Sequence, residues 1–255
     1  MAAAAAALRS EWTKIRTVRS TVVTLAAAFV VTVGLSALLC LLTNHNFSEA
    51  TRNATTPFDA TATSFGGIIL GQLAVIVFGV LVMGNEYSSG MIRLSLAAVP
   101  RRGVLLAAKA SVVLVLALVV GLLTSFVSFL LGQALLGSHS TTLGAPHVLR
   151  AVLGAGFYMT LLCLFSVGVT AMLRNQTLSL GILMPFFFLV SPILSAVPKV
   201  KTVARYFPDT AGRAVISVYQ PADAPYGPWT GLGICALWVV AALLGGWLVL
   251  DRRDA

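Results

Sequence analysis

Between Arg19 and Asp251 the charged residues of this chain leave six uncharged runs, at 20–48, 60–85, 110–149, 151–173, 175–198 and 224–250, the shortest of 23 residues. A helix rising 1.5 Å per residue needs about 20 apolar residues to cross a hydrocarbon core about 30 Å thick, so each run is long enough to span a bilayer. An average soluble domain is about 25% charged. Here 10% of 255 residues are charged and 58% are apolar, with a mean hydropathy of +0.94, which leaves too little polar surface to face water. The runs take about two thirds of the chain and leave no room for a soluble catalytic domain. The expected fold is an all-α integral membrane protein, one transmembrane domain over 1–255. Its spans are placed at about 21–43, 65–84, 105–136, 148–173, 177–197 and 229–250, with no internal repeat.

The 17 basic and 8 acidic residues give a net charge of +9. The basic residues cluster at span ends, where they orient a membrane protein. Aromatic residues interleaved with basic ones, as a nucleic-acid surface requires, are missing. An amino terminus on the cytoplasmic side puts eleven Lys and Arg inside and six outside, with both termini cytoplasmic. Four of the outer six, Lys199, Lys201, Arg205 and Arg213, run against the positive-inside rule.

Residues 1–20 read as an interfacial elbow. Within it Leu8, Trp12 and Ile15 fall inside about 60° of one another at 100° per residue, while Arg9, Lys14 and Arg16 point elsewhere. Cys40, Cys163 and Cys235 lie in apolar runs without metal-ligand spacing. All eight acids lie in connections, tails or span ends, so a proton pathway has no titrating group at membrane depth. His45, His139 and His147 are expected near the outer surface. The spans offer hydroxyls without a base to activate them. No catalytic, metal or cofactor site is expected in this chain, and no GxxxxGK[ST] loop occurs in it.

The connection 198–228 carries Pro198, Pro208, Pro221, Pro225 and Pro228 among Tyr206, Phe207, Tyr219, Tyr226 and Trp229. Prolines exclude one straight helix, and the aromatics suit interfacial or re-entrant segments on the outer surface. A structured outer gate, with Phe207, Pro208 and Arg213 as candidates, and a plain tether both fit. Pro185 and Pro192 predict a kink in span five. Gly67 with Gly71, and Gly227 with Gly231, form small-xxx-small pairs suited to close helix approach.

The connection 85–103 is short and amphipathic and reaches a terminating proline at Pro100. A helix of two to three turns there is expected to expose Met91, Ile92 and Leu94 beside Arg93, an apolar patch ringed by charge that a peripheral partner grips. A topogenic positive loop in which Glu86 caps or pairs locally fits the composition equally well.

Three stretches bear on that choice. Glu86-x-x-x-Gly90 is followed by a hydrophobic and basic helix, Pro100-Arg101-Arg102 and then Lys109. The chain opens with Ser10-Glu11-Trp12-Thr13-Lys14-Ile15-Arg16-Thr17-Val18-Arg19-Ser20, and Phe207-Pro208-Asp209-Thr210-Ala211-Gly212-Arg213-Ala214 precedes span six. In this order they resemble the small bacterial permeases of type-2 ATP-binding-cassette exporters. The resemblance implies an amphipathic elbow and a coupling helix over Gly90–Ala98 that docks on a separate cytoplasmic ATPase. Glu86 then sits at the inner end of span two and transmits ATPase closure through Met91, Ile92, Arg93 and Leu94. Arg101, Arg102 and Lys109 position the far side of that helix. It further implies two ATPase subunits carrying ATP and magnesium, a second permease chain in a homodimer or heterodimer, and a bacterial cytoplasmic membrane.

The nearly uncharged spans predict a path lined by Ser, Thr, Phe and Met, which suits lipids or amphipathic drugs. Two other functions compete with an exporter permease. One is a membrane anchor or assembly factor without transport; the other is a membrane enzyme, for which Asp209, Asp223 and Arg213 are the only outer candidates.

Overall fold

The computed structural model describes residues 8–14, 19–48, 57–98, 102–220 and 224–252, and the regular elements among them are all helical. Helix α1 covers 8–14. It is followed by α2 (Arg19–His45), α3 (Ala60–Ser64), α4 (Ile68–Ser88), α5 (Met91–Ala98) and α6 (Arg102–Leu136). Then come α7 (Val148–Leu173), α8 (Gln176–Pro185), α9 (Ser191–Ala196), α10 (Lys201–Ala204), α11 (Pro208–Arg213) and α12 (Pro228–Arg252). Six stretches among the described residues are long and apolar enough to cross a membrane: Thr21–His45, Ile68–Ser88, Arg102–His139, Val148–Leu173, Gln176–Ala196 and Pro228–Arg252. They coincide with the six expected spans to within a few residues, and the chain is an all-α, multi-pass membrane protein. Of the residues singled out in the sequence, Ile15, Arg16, Thr17, Val18, Pro100, Arg101, Pro221 and Asp223 lie outside the described residues.

Six crossings return the chain to the side on which it started. The terminal face of the bundle therefore carries α1, α5 and the end of α12, and the opposite face carries the connection from α9 to α12. Helix α7 occupies the centre, packed against α4, α6 and α12, with Tyr158, Met159 and Leu162 fully buried. Lipid tails are as apolar as leucine, so helices associate in a bilayer through close packing and small residues. Gly168 illustrates this: a Cβ there would stand 2.6 Å from the Ala242 carbonyl carbon, so α7 and α12 meet nearly backbone to backbone. The Gly67–Gly71 pair does the same against α2, where added Cβ atoms would overlap Thr32. In the other pair, Gly231 lies against the Ala211 carbonyl, while Gly227 has open space around it.

Several buried polar groups inside the bundle find partners along their own helix or across it. Thr32, Thr124, Thr160 and Thr170 each donate to the carbonyl four residues back, at 2.6–2.8 Å. Tyr158 donates across the bundle to Gln72 Oε1 at 2.6 Å.

Span five carries the expected break, in a particular form. Helix α8 ends at Pro185, a π-helical turn runs over Phe186–Val190, and α9 resumes with Pro192 in its first turn. Pro192 has no N–H to give the ladder, and the Ser191 N–H reaches back five residues to the Phe186 carbonyl.

The following connection is folded onto the bundle. The extended Phe207 before Pro208 sets the start of α11. Tyr226 donates to the Arg205 carbonyl and Trp238 Nε1 to the Tyr206 carbonyl at 2.8 Å. Further along, Asp59 Oδ2 accepts from the Val218 N–H at 2.7 Å and Arg150 donates to the Ser217 carbonyl at 2.7 Å.

Candidate functional site

On the terminal face four charged side chains from three parts of the sequence meet in one buried cluster. Lys109 Nζ, on the second turn of α6, lies 2.5 Å from Glu11 Oε2 and 2.9 Å from Glu86 Oε1. Lys14 Nζ lies 2.8 Å from Glu11 Oε1 and 2.9 Å from the same Glu86 Oε1. Lys14 also donates to Ser95 Oγ of α5 at 3.2 Å. Glu11, Glu86 and Lys109 are each 5% exposed or less. The cluster thus pins α1, the end of α4, α5 and the start of α6 to one another.

Two carboxylates and two ammonium groups make the cluster neutral as a whole, which is what lets charges of this burial persist. Burial by itself raises the pKa of the Glu11 carboxyl; the charges and hydrogen bonds of Lys109 and Lys14 outweigh it and hold the group below its ordinary value. Burial likewise lowers the pKa of Lys14, and the hydrogen bonds and charges of Glu11 and Glu86 outweigh that and raise it. Glu86 Oε2 is buried without a hydrogen-bond partner among the described residues. Beside it, Asn85, Ser88, Ser89 and Met91 help line a cavity of about 280 Å³.

Most of the residues read from the sequence gather here, some in places the sequence did not predict. Gly90 stands before α5 rather than within it, at φ +69°, where it turns the chain between α4 and α5. Met91 and Leu94 are exposed, Leu94 at 71%. Ile92 is 5% exposed, which corrects the expectation that it joins them. Ile92 and Ser95 share the inward side three residues apart, the natural register of a helix that lays one face on the bundle. Of Arg93 only its place in α5 is described. Arg102 reaches the end of α12: its Nη1 donates to the Leu250 and Asp251 carbonyls at 2.6 and 3.3 Å. It thereby caps the last turn of α12, where a cation is favoured. Leu8 and Trp12 are exposed on α1 at 40% and 44%.

Glu86 does not pair locally. Its partners Lys14 and Lys109 are 72 and 23 residues away. Glu11 is the residue that sequence reasoning left out. Its signal was an acid among apolar residues on a short basic helix, three residues before Lys14.

On the opposite face Phe207, Pro208 and Arg213 also have defined places. The Phe207 ring lies 5.3 Å from that of Phe186 in the π turn, and Pro208 is buried at the start of α11. Asp209 was read as an outer loop acid and is instead fully buried, both of its oxygens accepting from Ser191 Oγ at 2.7–2.8 Å. Arg213 Nη2 stands 3.7 Å from it.

The six-span bundle thus carries a small helix between spans two and three, held to its base through Lys14 and Ser95 of the ion cluster. Residues 7–191 match the family described as ABC-2 family transporter protein. The chain belongs to that family and is a permease subunit of an ABC transporter. No curated protein matches it.

Proposed function

We propose that this chain is the permease of an ATP-driven exporter in which α5 is the coupling helix and the Glu11–Lys14–Glu86–Lys109 cluster is the joint that passes ATPase motion into the spans. The observation that carries this reading is the cluster itself. An exposed helix of eight residues between two chain turns would absorb a push by bending its connections. Helix α5 is instead held through Ser95 and Ile92 to a base shared by α1, α4 and α6. Its outward Met91 and Leu94 give a partner an apolar grip. A buried ion network adds little net stability over an apolar core, but losing one member is costly, so its value lies in fixing geometry.

The rest follows from the family and from what this chain lacks. With no phosphate-binding loop of its own, it works with a separate ABC ATPase that holds ATP and magnesium. Two ATPase subunits and a second permease chain, identical or related, complete the transporter. ATP-driven closure of the ATPases rocks the two permease halves as rigid bodies, alternately opening a path to either side. The cargo is hydrophobic or amphipathic, matching spans that carry hydroxyl and aromatic side chains but few charges. The membrane is the bacterial cytoplasmic membrane, the terminal face is cytoplasmic, and α1 lies in the interface with Leu8 and Trp12 toward lipid.

The test is a mild-detergent pull-down of the tagged chain followed by ATPase measurements on the reconstituted complex. A P-loop ATPase is expected to co-purify near one to one. Glu86→Ala is expected to leave insertion intact and lower cargo-stimulated ATP turnover about fivefold or more, the low end of a lost coupling interaction. Recovery of the chain alone in several detergents, or unchanged stimulation in Glu86→Ala, sinks the reading.

A further inference from the structure

Helices α6 and α12 both pack on α7 and touch one another little. They meet at the terminal face, where a Cβ on Gly103 would stand 2.9 Å from Trp247 Nε1 and Arg102 reaches the Leu250 carbonyl. Farther along, toward the opposite face, a groove of about 330 Å³ lies among the three helices. Its lining includes Leu114 and Leu118 of α6, Phe157 and Thr160 of α7, and Trp229 and Gly233 of α12.

The groove offers water almost nothing. The Thr160 hydroxyl is committed to the Gly156 carbonyl at 2.8 Å, and the other lining side chains are aliphatic or aromatic, whereas a held water needs two to four polar partners. Leu114 and Trp229 are 41% and 55% exposed, so the groove opens on the outer surface of three membrane-spanning helices. Gly233 gives it width: a Cβ there meets nothing within 4 Å, while one on Gly168 or Gly231 would collide with a neighbouring backbone. Trp229, one turn before Gly233 and on the same side of α12, stands in the first turn of that span, and tryptophan concentrates where hydrocarbon meets headgroups. Seven residues of helix rise about 10 Å, so from Trp229 to Ala236 the groove reaches about that far below the headgroup level.

We propose that the groove between α6, α7 and α12 holds one acyl chain of a phospholipid from the leaflet on the opposite face, its headgroup level with Trp229. The volume lies at the low end of the range of about 300–1,000 Å³ usual for ligand cavities, which suits one chain and not a whole two-chain lipid. A helix of a second copy is about 10–12 Å across with its side chains, too wide for a groove of this size. Lipid tails are as apolar as leucine, so the gain is packing: a chain seated among three helices touches side chains that a chain passing along the surface does not. Recognition of this kind reads chain length and not headgroup charge. The proposal needs only that the chain spans a membrane, and it stands apart from ATPase coupling.

The experiment is native mass spectrometry of the detergent-purified full chain titrated with dioleoylphosphatidylcholine, without any ATPase, which reads bound lipid and copy number in one spectrum. The native chain is expected to retain one such lipid per chain, and to retain dihexanoylphosphatidylcholine, the same headgroup on short chains, about tenfold less. Gly233→Leu, whose added Cβ meets no neighbour within 4 Å, fills the groove and is expected to lower retention of the long-chain lipid about tenfold, the worth of about two methylenes. Gly34→Leu, at a glycine of α2 equally free of neighbours and outside the groove lining, should retain the lipid as the native chain does. Equal retention by the native chain and Gly233→Leu, or an equal loss in Gly34→Leu, overturns the proposal. Equal retention of the short-chain lipid overturns it in favour of a headgroup contact, and a halved copy number in Gly233→Leu overturns it in favour of a second copy of the chain.

Discussion

A carboxylate that is 1% exposed persists in this bundle because two ammonium groups reach it, one from its own helix and one from 98 residues away. Breaking a buried ion pair by removing one partner costs about 3–5 kcal/mol, since the survivor keeps its charge in a poor solvent. Glu11→Leu is therefore expected to lower the thermal midpoint of the purified protein sharply, and Lys109→Met to do the same. The double variant Glu11→Leu, Lys109→Met removes both charges and keeps Lys14 beside Glu86. It should recover much of the loss, with a coupling of about 0.5–3 kcal/mol in the cycle; strictly additive losses would deny the pair. The protonation of Glu11 and Lys14 sets a pH window for the same contacts. The Glu11 pKa is lowered from 4.5, so its contribution is present above that value and is lost as pH falls through the folded pKa. The Lys14 pKa is raised from 10.5, so its contribution is present below that value and is lost as pH rises through the folded pKa. Midpoints measured against pH should be flat through neutrality and decline only in acid and in strong alkali, and a decline centred near neutral pH would exclude these groups as its source. Glu86 and Lys109 were legible as charges flanking spans. Glu11 was not, because an amphipathic reading of one helix assigns every charge to water and carries no information about a partner on another helix.

At the scale of elements, the turn into α5 hangs on a single backbone conformation. Gly90 adopts φ +69° with open space around its Cα, so a side chain there meets no neighbour and the penalty is purely conformational. A non-glycine residue in that region costs about 1–2 kcal/mol. Gly90→Ala is expected to fold with a modest loss in midpoint and to bind the ATPase with reduced affinity. Gly90→Pro, whose ring fixes φ near −65°, re-aims α5 altogether and should release the ATPase in a pull-down. Full retention by the proline variant would place docking elsewhere. The spans themselves were legible because an uncharged run of 23 residues or more has few folded alternatives to a membrane helix. Pro185 and Pro192 announced a break in span five but not its form, since a π turn depends on which carbonyl the Ser191 N–H finds. The fate of Asp209 was equally hidden. Loop acids are read as solvated, and only the folding of α11 onto the π turn of span five buries this one against Ser191.

For the whole molecule the open quantity is orientation, and the two faces make it measurable. The terminal face carries exposed Ser88 and Ser89, and the opposite face carries exposed Tyr219. The native cysteines Cys40, Cys163 and Cys235 are all buried, so a membrane-impermeant maleimide meets little background. Single variants Ser89→Cys and Tyr219→Cys, probed in intact cells and in inverted vesicles, should label from opposite sides: Tyr219→Cys in cells, Ser89→Cys in inverted vesicles. The count of eleven basic residues against six favours this orientation. The four cations between Lys199 and Arg213 weigh against it, and a bilayer does not carry that bias without a reason. The asymmetry across the first span, four basic residues before it against Arg52 after it, outweighs them. Labelling of Ser89→Cys from outside would reverse the molecule, put α5 beyond reach of any cytoplasmic ATPase, and remove the coupling role of the buried cluster along with it.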